Sequence, residues 1–209
     1  MLYQETVEPG TFQIIIDLQK KDYLQNFYLA GGTALSLQLG HRISDDIDMF
    51  TPLAFNEEEL YPLIKKDFDF IIAKKYKHTL LGNIKNIKTD FIAHQYKIIY
   101  PLVSENGITM FGLQDIAAMK LNAITFSGTR LKDFADIYFL LEKISLKQML
   151  DTFLEKYEKV NPYVAAKALN YFAEINPTEK IQVLRKDFTI DKMKQRLQQA
   201  VRNEEQIFE

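Results

Sequence analysis

Hydrophobic and polar positions follow two different periods along this chain. From about residue 27 to residue 100, short apolar runs alternate with polar turns, a pattern typical of β-strands. From about residue 113 onwards, apolar residues recur every three or four positions, which predicts helices. The change of period predicts an α+β fold, in which residues 1–112 form a mixed sheet flanked by helices and residues 113–209 form an all-helical lobe.

The same periods, together with the residues that break them, give the expected elements. Helices are expected at 11–25, 33–39, 57–66, 113–124 and 131–141. Strands are expected at 27–30, 47–50, 68–72, 79–84, 87–93 and 97–100. Gly31 and Gly32 predict a tight turn after the first strand, with Thr33 as the N-cap of the next helix and Gly40 as its end.

Composition narrows the class of protein. Of the 209 residues, 47% are apolar, which is enough for a sizeable core. The net charge of −2 and the pI of about 6.0 argue against a general nucleic-acid coat protein, whose domains usually have a pI above about 9. The absence of cysteine excludes disulfides, thiolate zinc sites and cysteine nucleophiles. The polar N-terminus and the lack of a long apolar run predict a cytoplasmic protein without membrane contact.

Three aspartates are placed where they could bind metal ions. Asp46 and Asp48 are two positions apart, so on a strand they point the same way, about 6–7 Å apart. Two such carboxylates raise each other's pKa, and a divalent cation such as Mg²⁺ or Mn²⁺ removes that penalty. Asp90 lies on another predicted strand, and three acids on neighbouring strands can hold two metal ions for in-line displacement at phosphorus. The alternative is a turn or strand end with no metal.

Gly31, Gly32 and Thr33 are the candidate phosphate-binding residues. Glycines let the backbone approach a phosphate closely, and a helix N-terminus directly after them offers N–H groups to an anion. No Gly-Lys-Ser/Thr sequence follows, so this is not a Walker loop. Taken alone, the glycine pair is an ordinary turn between a strand and a helix. Arg42 and Ser44 flank the acids and could either orient them or contact phosphate.

Two long runs resemble one known family. The run GGTAL…HRISDDIDMF (31–50) is similar to the first motif of the AbiEii/AbiGii toxin branch of the DNA polymerase beta-like nucleotidyltransferase superfamily. The run DIAAMKLNAITFSGTRLKDFADIYFLL (115–141) is similar to the second motif of that branch. Both runs lie in the expected order, and the resemblance extends over most of residues 25–145.

The resemblance implies roles for individual residues. Asp46, Asp48 and Asp90 are expected to be catalytic metal ligands, and Gly31, Gly32 and Thr33 to contact the triphosphate. Lys120 matches the lysine of the second motif, which is expected to touch nucleotide phosphates, and Asp136 matches the late acidic residue of the helical lobe. From the residues alone, Lys120 could instead form a structural salt bridge with Asp133 or Asp136.

The function implied is the metal-dependent transfer of a nucleoside monophosphate from an NTP to an acceptor hydroxyl. The resemblance further suggests a toxin-like or phage-defence component that acts on RNA, such as the 3′ end of tRNA, and that has a cognate antitoxin. A protein or a small molecule is an alternative acceptor. A second alternative is a non-catalytic module of the same fold that binds a nucleotide or a protein.

A locally basic stretch at 65–97 offers a further alternative. It is rich in lysine and carries interleaved aromatic residues, so it could receive an RNA backbone. Such lysines can equally form the solvated side of a sheet. The lysines are Lys65, Lys66, Lys74, Lys75, Lys77, Lys85, Lys88 and Lys97.

Overall fold

Two units make up the computed structural model, which describes residues 1–158 and 160–209. The first unit contains the sheet and comprises Met1–Gly40, Ser44–Ile98 and Leu102–Phe111. The second unit is largely helical and comprises His41–Ile43, Ile99–Pro101 and Gly112–Glu209. The predicted α+β class is confirmed, with a mixed sheet flanked by helices and a helical C-terminal part. The boundary between residues 112 and 113 stays a prediction.

The first unit combines one mixed sheet with three α-helices in its described residues. The helices are α1 (Pro9–Gln19), α2 (Gly31–Leu39) and α3 (Glu57–Phe68), with short 3₁₀ turns at Gln4–Thr6 and Asp22–Leu24. The strands are β1 (Tyr28–Leu29), β2 (Ile47–Thr51), β3 (Ile71–Tyr76), β4 (Thr79–Ile84), β5 (Ile87–Ala93), β6 (Val103–Glu105) and β7 (Ile108–Met110). Their order in the sheet is β3-β4-β5-β2-β1-β7-β6. Strand β2 is parallel to β5 and antiparallel to β1.

Local sequence explains the sharp turns of this sheet. Strands β4 and β5 are joined by Lys85 and Asn86, both with positive φ (50° and 67°), as a two-residue type I′ hairpin requires. Asn106 and Gly107 (54° and 78°) join β6 to β7 in the same way. Asn-Gly between short apolar runs is a strong hairpin signal. The sequence prediction nevertheless omitted this hairpin.

Several predicted elements of the first unit are confirmed, and others need correction. Strands 79–84 and 87–93 match β4 and β5 at both ends, and Gly40 ends α2 with a φ of 68°. The strand predicted at 68–72 is displaced, because α3 continues to Phe68 and β3 begins at Ile71. Helix α1 ends at Gln19, six residues before the predicted end.

The strand predicted at 97–100 is wrong. The N–H groups of Ile99 and Tyr100 donate to the two carboxylate oxygens of Asp115, at 3.1 and 2.8 Å, and not to a neighbouring strand. A buried carboxylate therefore takes the place of a sheet partner for this backbone. An alternating apolar pattern cannot distinguish the two kinds of acceptor.

The second unit is a set of packed helices. They are α4 (Leu113–Phe126), α5 (Leu131–Leu140), α6 (Leu146–Lys156), α7 (Pro162–Ala168) and α8 (Ile190–Arg202). Ser145 and Gln148 form a capping box at the start of α6. The core includes fully buried side chains from four of these helices, namely Leu121, Phe134, Ile137, Phe153 and Leu197.

One buried ion pair stabilises the second unit. Lys156 Nζ lies 2.7 Å from Asp115 Oδ1, and both side chains are completely inaccessible to solvent. Asp115 also accepts the N–H groups of Ile99 and Tyr100. The pair thus links α4, α6 and the segment at 99–101. Across the described part of the chain, no helix is both long enough and apolar enough to cross a membrane.

Replacing Asp115 with alanine should lower the free energy of unfolding by about 3–5 kcal/mol. The substitution leaves the Lys156 ammonium buried without its carboxylate and removes the acceptor of two N–H groups. Urea unfolding at pH 7 measures the change. Asp151→Ala is the matched control, since Asp151 forms an exposed pair with Lys147 and should cost at most about 1 kcal/mol. Equal effects of the two substitutions would contradict the prediction.

Candidate active site

Two of the predicted metal-binding acids lie side by side on the sheet. Asp48 of β2 is the direct register partner of Asp90 of β5, and the two strands are parallel. Residues directly opposite each other on neighbouring strands project from the same face. The third acid, Asp46, directly precedes β2, two positions before Asp48. The structure therefore places Asp48, near the start of β2, beside Asp90, in the middle of β5, with Asp46 just before β2.

Gly31 is required by the position of Asp48. Its φ is 67°, a left-handed conformation that side chains rarely adopt. A Cβ atom added to Gly31 would overlap the Oδ2 atom of Asp48. Asp48 thus lies against the first residue of α2, where the helix dipole favours negative charge.

The start of α2 also corrects the predicted turn. Gly31 and Gly32 are the first two helical residues, and Ala30 is the N-cap, so the assignment of Thr33 as N-cap is wrong. The buried Thr33 hydroxyl lies 3.0 Å from Ser44 Oγ and hydrogen-bonds to the backbone oxygen of Asp46. Thr33 and Ser44 therefore fix the backbone that carries Asp46. Their predicted phosphate contacts stay predictions.

Lys88 is a charged member of this cluster that sequence reasoning placed only in the basic stretch. Its Nζ lies 3.0 Å from Asp90 Oδ2. Burial by itself lowers the pKa of Lys88, but the hydrogen bond to Asp90 and the charges of Asp90, Asp48 and Asp46 outweigh burial and raise that pKa. The available signal was the shared strand face of Lys88 and Asp90, two positions apart.

The three acids have the ligand chemistry of a divalent-cation site, but their side chains are not grouped as in a formed metal site. Within the ranges 1–158 and 160–209, no three His, Asp or Glu side chains are grouped so as to hold a metal ion. Asp90 is only 5% exposed, and its Oδ1 atom has no hydrogen-bond partner in the described structure. Carboxylate oxygens are the ligands that Mg²⁺ and Mn²⁺ prefer. The chemistry of Asp46, Asp48 and Asp90 therefore suits such an ion, and their role as metal ligands stays a prediction.

The other predicted site residues form a buried ionic network in the second unit. Asp136 is fully buried and accepts from Arg42 Nε (2.7 Å) and from Arg42 Nη2 (3.1 Å), which together make a bidentate pair. Lys120 Nζ lies 2.7 Å from both Asp136 Oδ2 and Asp133 Oδ1. His41 Nε2 lies 2.8 Å from Asp136 Oδ1. Lys120 therefore forms the salt bridges with Asp133 and Asp136 that were the alternative to a phosphate contact. Its contact with nucleotide phosphates stays a prediction.

The protonation states of this network follow from its charges. Burial raises the pKa of Asp136, but Lys120 and Arg42 outweigh burial and hold that pKa well below its ordinary value. Burial lowers the pKa of His41 despite Asp136, so His41 is neutral near pH 7 and donates from Nε2. Asp136 thus remains ionised and binds both cations over the physiological range.

Replacing Asp136 with asparagine should lower the free energy of unfolding by about 3–5 kcal/mol at pH 7. Because the folded-state pKa of Asp136 is depressed, its contribution is complete above the ordinary value of 3.8 and is lost as the pH falls below that value. Urea unfolding at pH 7, 5 and 3 should therefore show a gap between wild type and variant that narrows only at pH 3. Asp151→Asn is the exposed control. A gap that stays constant down to pH 3 would contradict this reasoning.

Replacing Gly31 with alanine should lower the free energy of unfolding by about 1–3 kcal/mol. The new Cβ would meet Asp48, and the left-handed backbone would be strained. A double-mutant cycle with Asp48→Ala separates the two costs by thermal or urea unfolding, since removing the carboxylate relieves only the steric part. Gly10→Ala is the control, as its Cβ has no neighbour within 4 Å. Full additivity of Gly31→Ala and Asp48→Ala would contradict the contact.

Comparisons with known proteins agree with this geometry. A family model described as "Nucleotidyl transferase AbiEii toxin, Type IV TA system" matches residues 13–100, which include the glycine pair and all three acids. The uncharacterized protein aq_aa25 of Aquifex aeolicus (strain VF5) is 35% identical in an alignment of 158 residues that covers 71% of this chain and 75% of that protein.

Two solved structures from Helicobacter pylori are also similar. The structure of JHP933 is 16% identical, with a TM-score of 0.53, and the aligned region covers 97% of this chain and 92% of the JHP933 chain. The structure of a candidate nucleotidyltransferase has a TM-score of 0.53 at 17% identity and covers 93% and 94%. At these identities the likeness shows a shared fold. With the family match and the Aquifex relative, it establishes that this chain belongs to the AbiEii family of nucleotidyltransferases.

Proposed function

We propose that this protein transfers a nucleoside monophosphate from an NTP to an acceptor hydroxyl in a reaction that depends on Mg²⁺ or Mn²⁺. The observation that carries the proposal is the direct pairing of Asp48 with Asp90 on parallel strands, with Gly31 shaped to fit Asp48. Asp46, Asp48 and Asp90 are the proposed metal ligands. When bound, the metal would supply the positive charge that lowers the pKa of the acceptor hydroxyl and stabilises the departing pyrophosphate.

The residues around Asp48 position the reacting groups. Gly31 and Gly32 present backbone N–H groups of the first turn of α2, which suits a triphosphate. Thr33 and Ser44 hold the backbone that carries Asp46.

The chemical step breaks one phosphorus–oxygen bond and forms another. The acceptor oxygen attacks the α-phosphorus, the bond from that phosphorus to the α–β bridging oxygen breaks, and pyrophosphate leaves. We assign the hydroxyl proton to Asp90, whose Oδ1 atom is buried and has no hydrogen-bond partner in the described structure. A carboxylate can accept a proton from a hydroxyl that comes within hydrogen-bond reach of it.

Lys120, Arg42 and Asp136 are proposed to act with the triphosphate in the roles that the family resemblance implies. Lys120 and Arg42 are the cations, and Asp136 is the positioning residue that binds both of them. Such an arrangement keeps two long side chains in defined rotamers, so less entropy is lost when an anion binds.

We further propose an RNA acceptor, such as the 3′ end of tRNA, and a toxin-like or phage-defence role in the cytoplasm with a cognate antitoxin. The description of the matching family names a toxin and a type IV toxin–antitoxin system, which supports this role. Lys74, Lys75 and Lys77 are exposed at the β3 edge of the sheet, where positive charge would favour an RNA backbone.

Incubation of the purified protein with Mg²⁺ or Mn²⁺, each α-labelled NTP in turn, and total cellular RNA and protein should label RNA. Asp46→Asn, Asp48→Asn and Asp90→Asn should each reduce the rate by about 10²-fold or more, since each removes charge that the transition state needs. Asp45→Asn is the matched control. Asp45 is the exposed neighbour of Asp46 and should be replaceable without effect.

Other outcomes of this assay would change the proposal in defined ways. Label on protein would make a protein the acceptor. Labelling that survives all three substitutions would reject the assigned acids. Nucleotide binding without labelling under any condition would favour a non-catalytic binding module.

A further inference from the structure

A lysine of the protein itself contacts one of the paired acids. Lys88 extends from β5 on the same face as Asp90, and its ammonium contacts Asp90 Oδ2 at 3.0 Å. Asp48 occupies the next position across the sheet from Asp90. The ammonium therefore lies in the negative field to which a divalent cation would also be attracted.

The two partners differ in their freedom to separate. The Asp90 side chain is 7% exposed and is held in the middle of the sheet, between β4 and β2. The Lys88 side chain is 54% exposed, on a flexible four-carbon stem. Lys88 can therefore rotate into solvent without any movement of the backbone, whereas Asp90 cannot.

Asp90 cannot bind the Lys88 ammonium and a divalent cation at full affinity at the same time. With Lys88 in contact, one oxygen of Asp90 is occupied, and the other has no hydrogen-bond partner in the described residues. An incoming divalent ion gains the carboxylate oxygens but must repel or displace the ammonium. In the proposed function an NTP brings its triphosphate to Gly31, which lies against Asp48, and a displaced ammonium would have a new partner there.

We propose that Lys88 is a built-in counter-ion that a divalent cation displaces, and that the displaced ammonium then contacts the phosphates of the bound nucleotide. This inference rests on the proposed function. It makes Lys88 a positioning residue that couples the two ligands: metal alone binds weakly, and metal and nucleotide bind more tightly together. Between turnovers Lys88 offsets part of the negative charge of the acids, chiefly that of Asp90.

Binding of Mn²⁺ to the full-length protein tests the inference without any catalytic readout. Free Mn²⁺ is measured by electron paramagnetic resonance, with and without a non-hydrolysable NTP analogue. Lys88→Met should bind Mn²⁺ alone about fivefold more tightly than wild type, because a competing cation has been removed. It should also lose most of the gain in Mn²⁺ affinity that the analogue gives to wild type.

Two further variants make the result specific. Lys88→Arg keeps the charge and should retain the weak binding of Mn²⁺ alone. Lys167→Met removes an exposed lysine from α7 and should behave as wild type. Thermal unfolding without metal should show a lower Tm for Lys88→Met, restored by Mn²⁺, which confirms that the variant is folded.

The outcomes separate this inference from the proposed function. Equal Mn²⁺ affinity of wild type and Lys88→Met would overturn the counter-ion role and leave metal-dependent transfer standing. Tighter Mn²⁺ binding with an unchanged effect of the analogue would overturn the phosphate contact. Failure of every variant to bind Mn²⁺ would overturn both the inference and the metal part of the proposed function.

Discussion

The parallel pairing of β2 with β5 is the constraint on which the candidate site depends. It places Asp48 directly beside Asp90 and leaves the sheet with a concentration of negative charge that must be offset. Gly31 lies against Asp48, in a left-handed conformation where an added Cβ would meet that carboxylate. The buried bonds of Thr33 fix the backbone of Asp46, two residues before Asp48. The register of β2 with β5 thus accounts for the paired acids, and contacts of α2 with residues 44–48 account for the glycine and the hydroxyl of the first motif.

The protein offsets its buried acids in two different ways. Asp115 and Asp136 are completely buried and bind cations that are themselves buried, Lys156 for the first and Arg42 with Lys120 for the second. Such pairs are costly to break and favour one conformation. Asp90 instead binds a lysine whose stem is half exposed. Only the last kind of pair can exchange its cation at low cost, and it is found among the acids proposed to bind metal.

Sequence predicted those parts of the structure that depend on local pattern. The alternation of β5, the hairpin strand β4 and the glycine that ends α2 are all set by neighbouring residues, and they were placed correctly. The errors at Thr33 and at 97–100 share one cause: in each case a distant group takes up a hydrogen bond that a local pattern assigns elsewhere. To predict that Lys88 lies beside Asp48 as well as Asp90, one must know the register of β2 against β5, which the local sequence pattern does not give. The roles of the site residues themselves are still predictions.

The two sequence runs that carry the family resemblance meet through Arg42 and Asp136 inside the second unit. Arg42 comes from the first run and Asp136 from the second, so part of each motif serves a buried ionic network. A residue of these motifs can therefore be essential because the buried ionic network, and with it the fold, is destabilised without it. Loss of activity alone cannot distinguish that role from contact with the nucleotide. Asp46, Asp48 and Asp90 differ in this respect, since their negative charge is offset by a lysine whose side chain is half exposed. A folded, stable variant that has lost transfer is accordingly informative at these acids and ambiguous at Lys120 and Asp136.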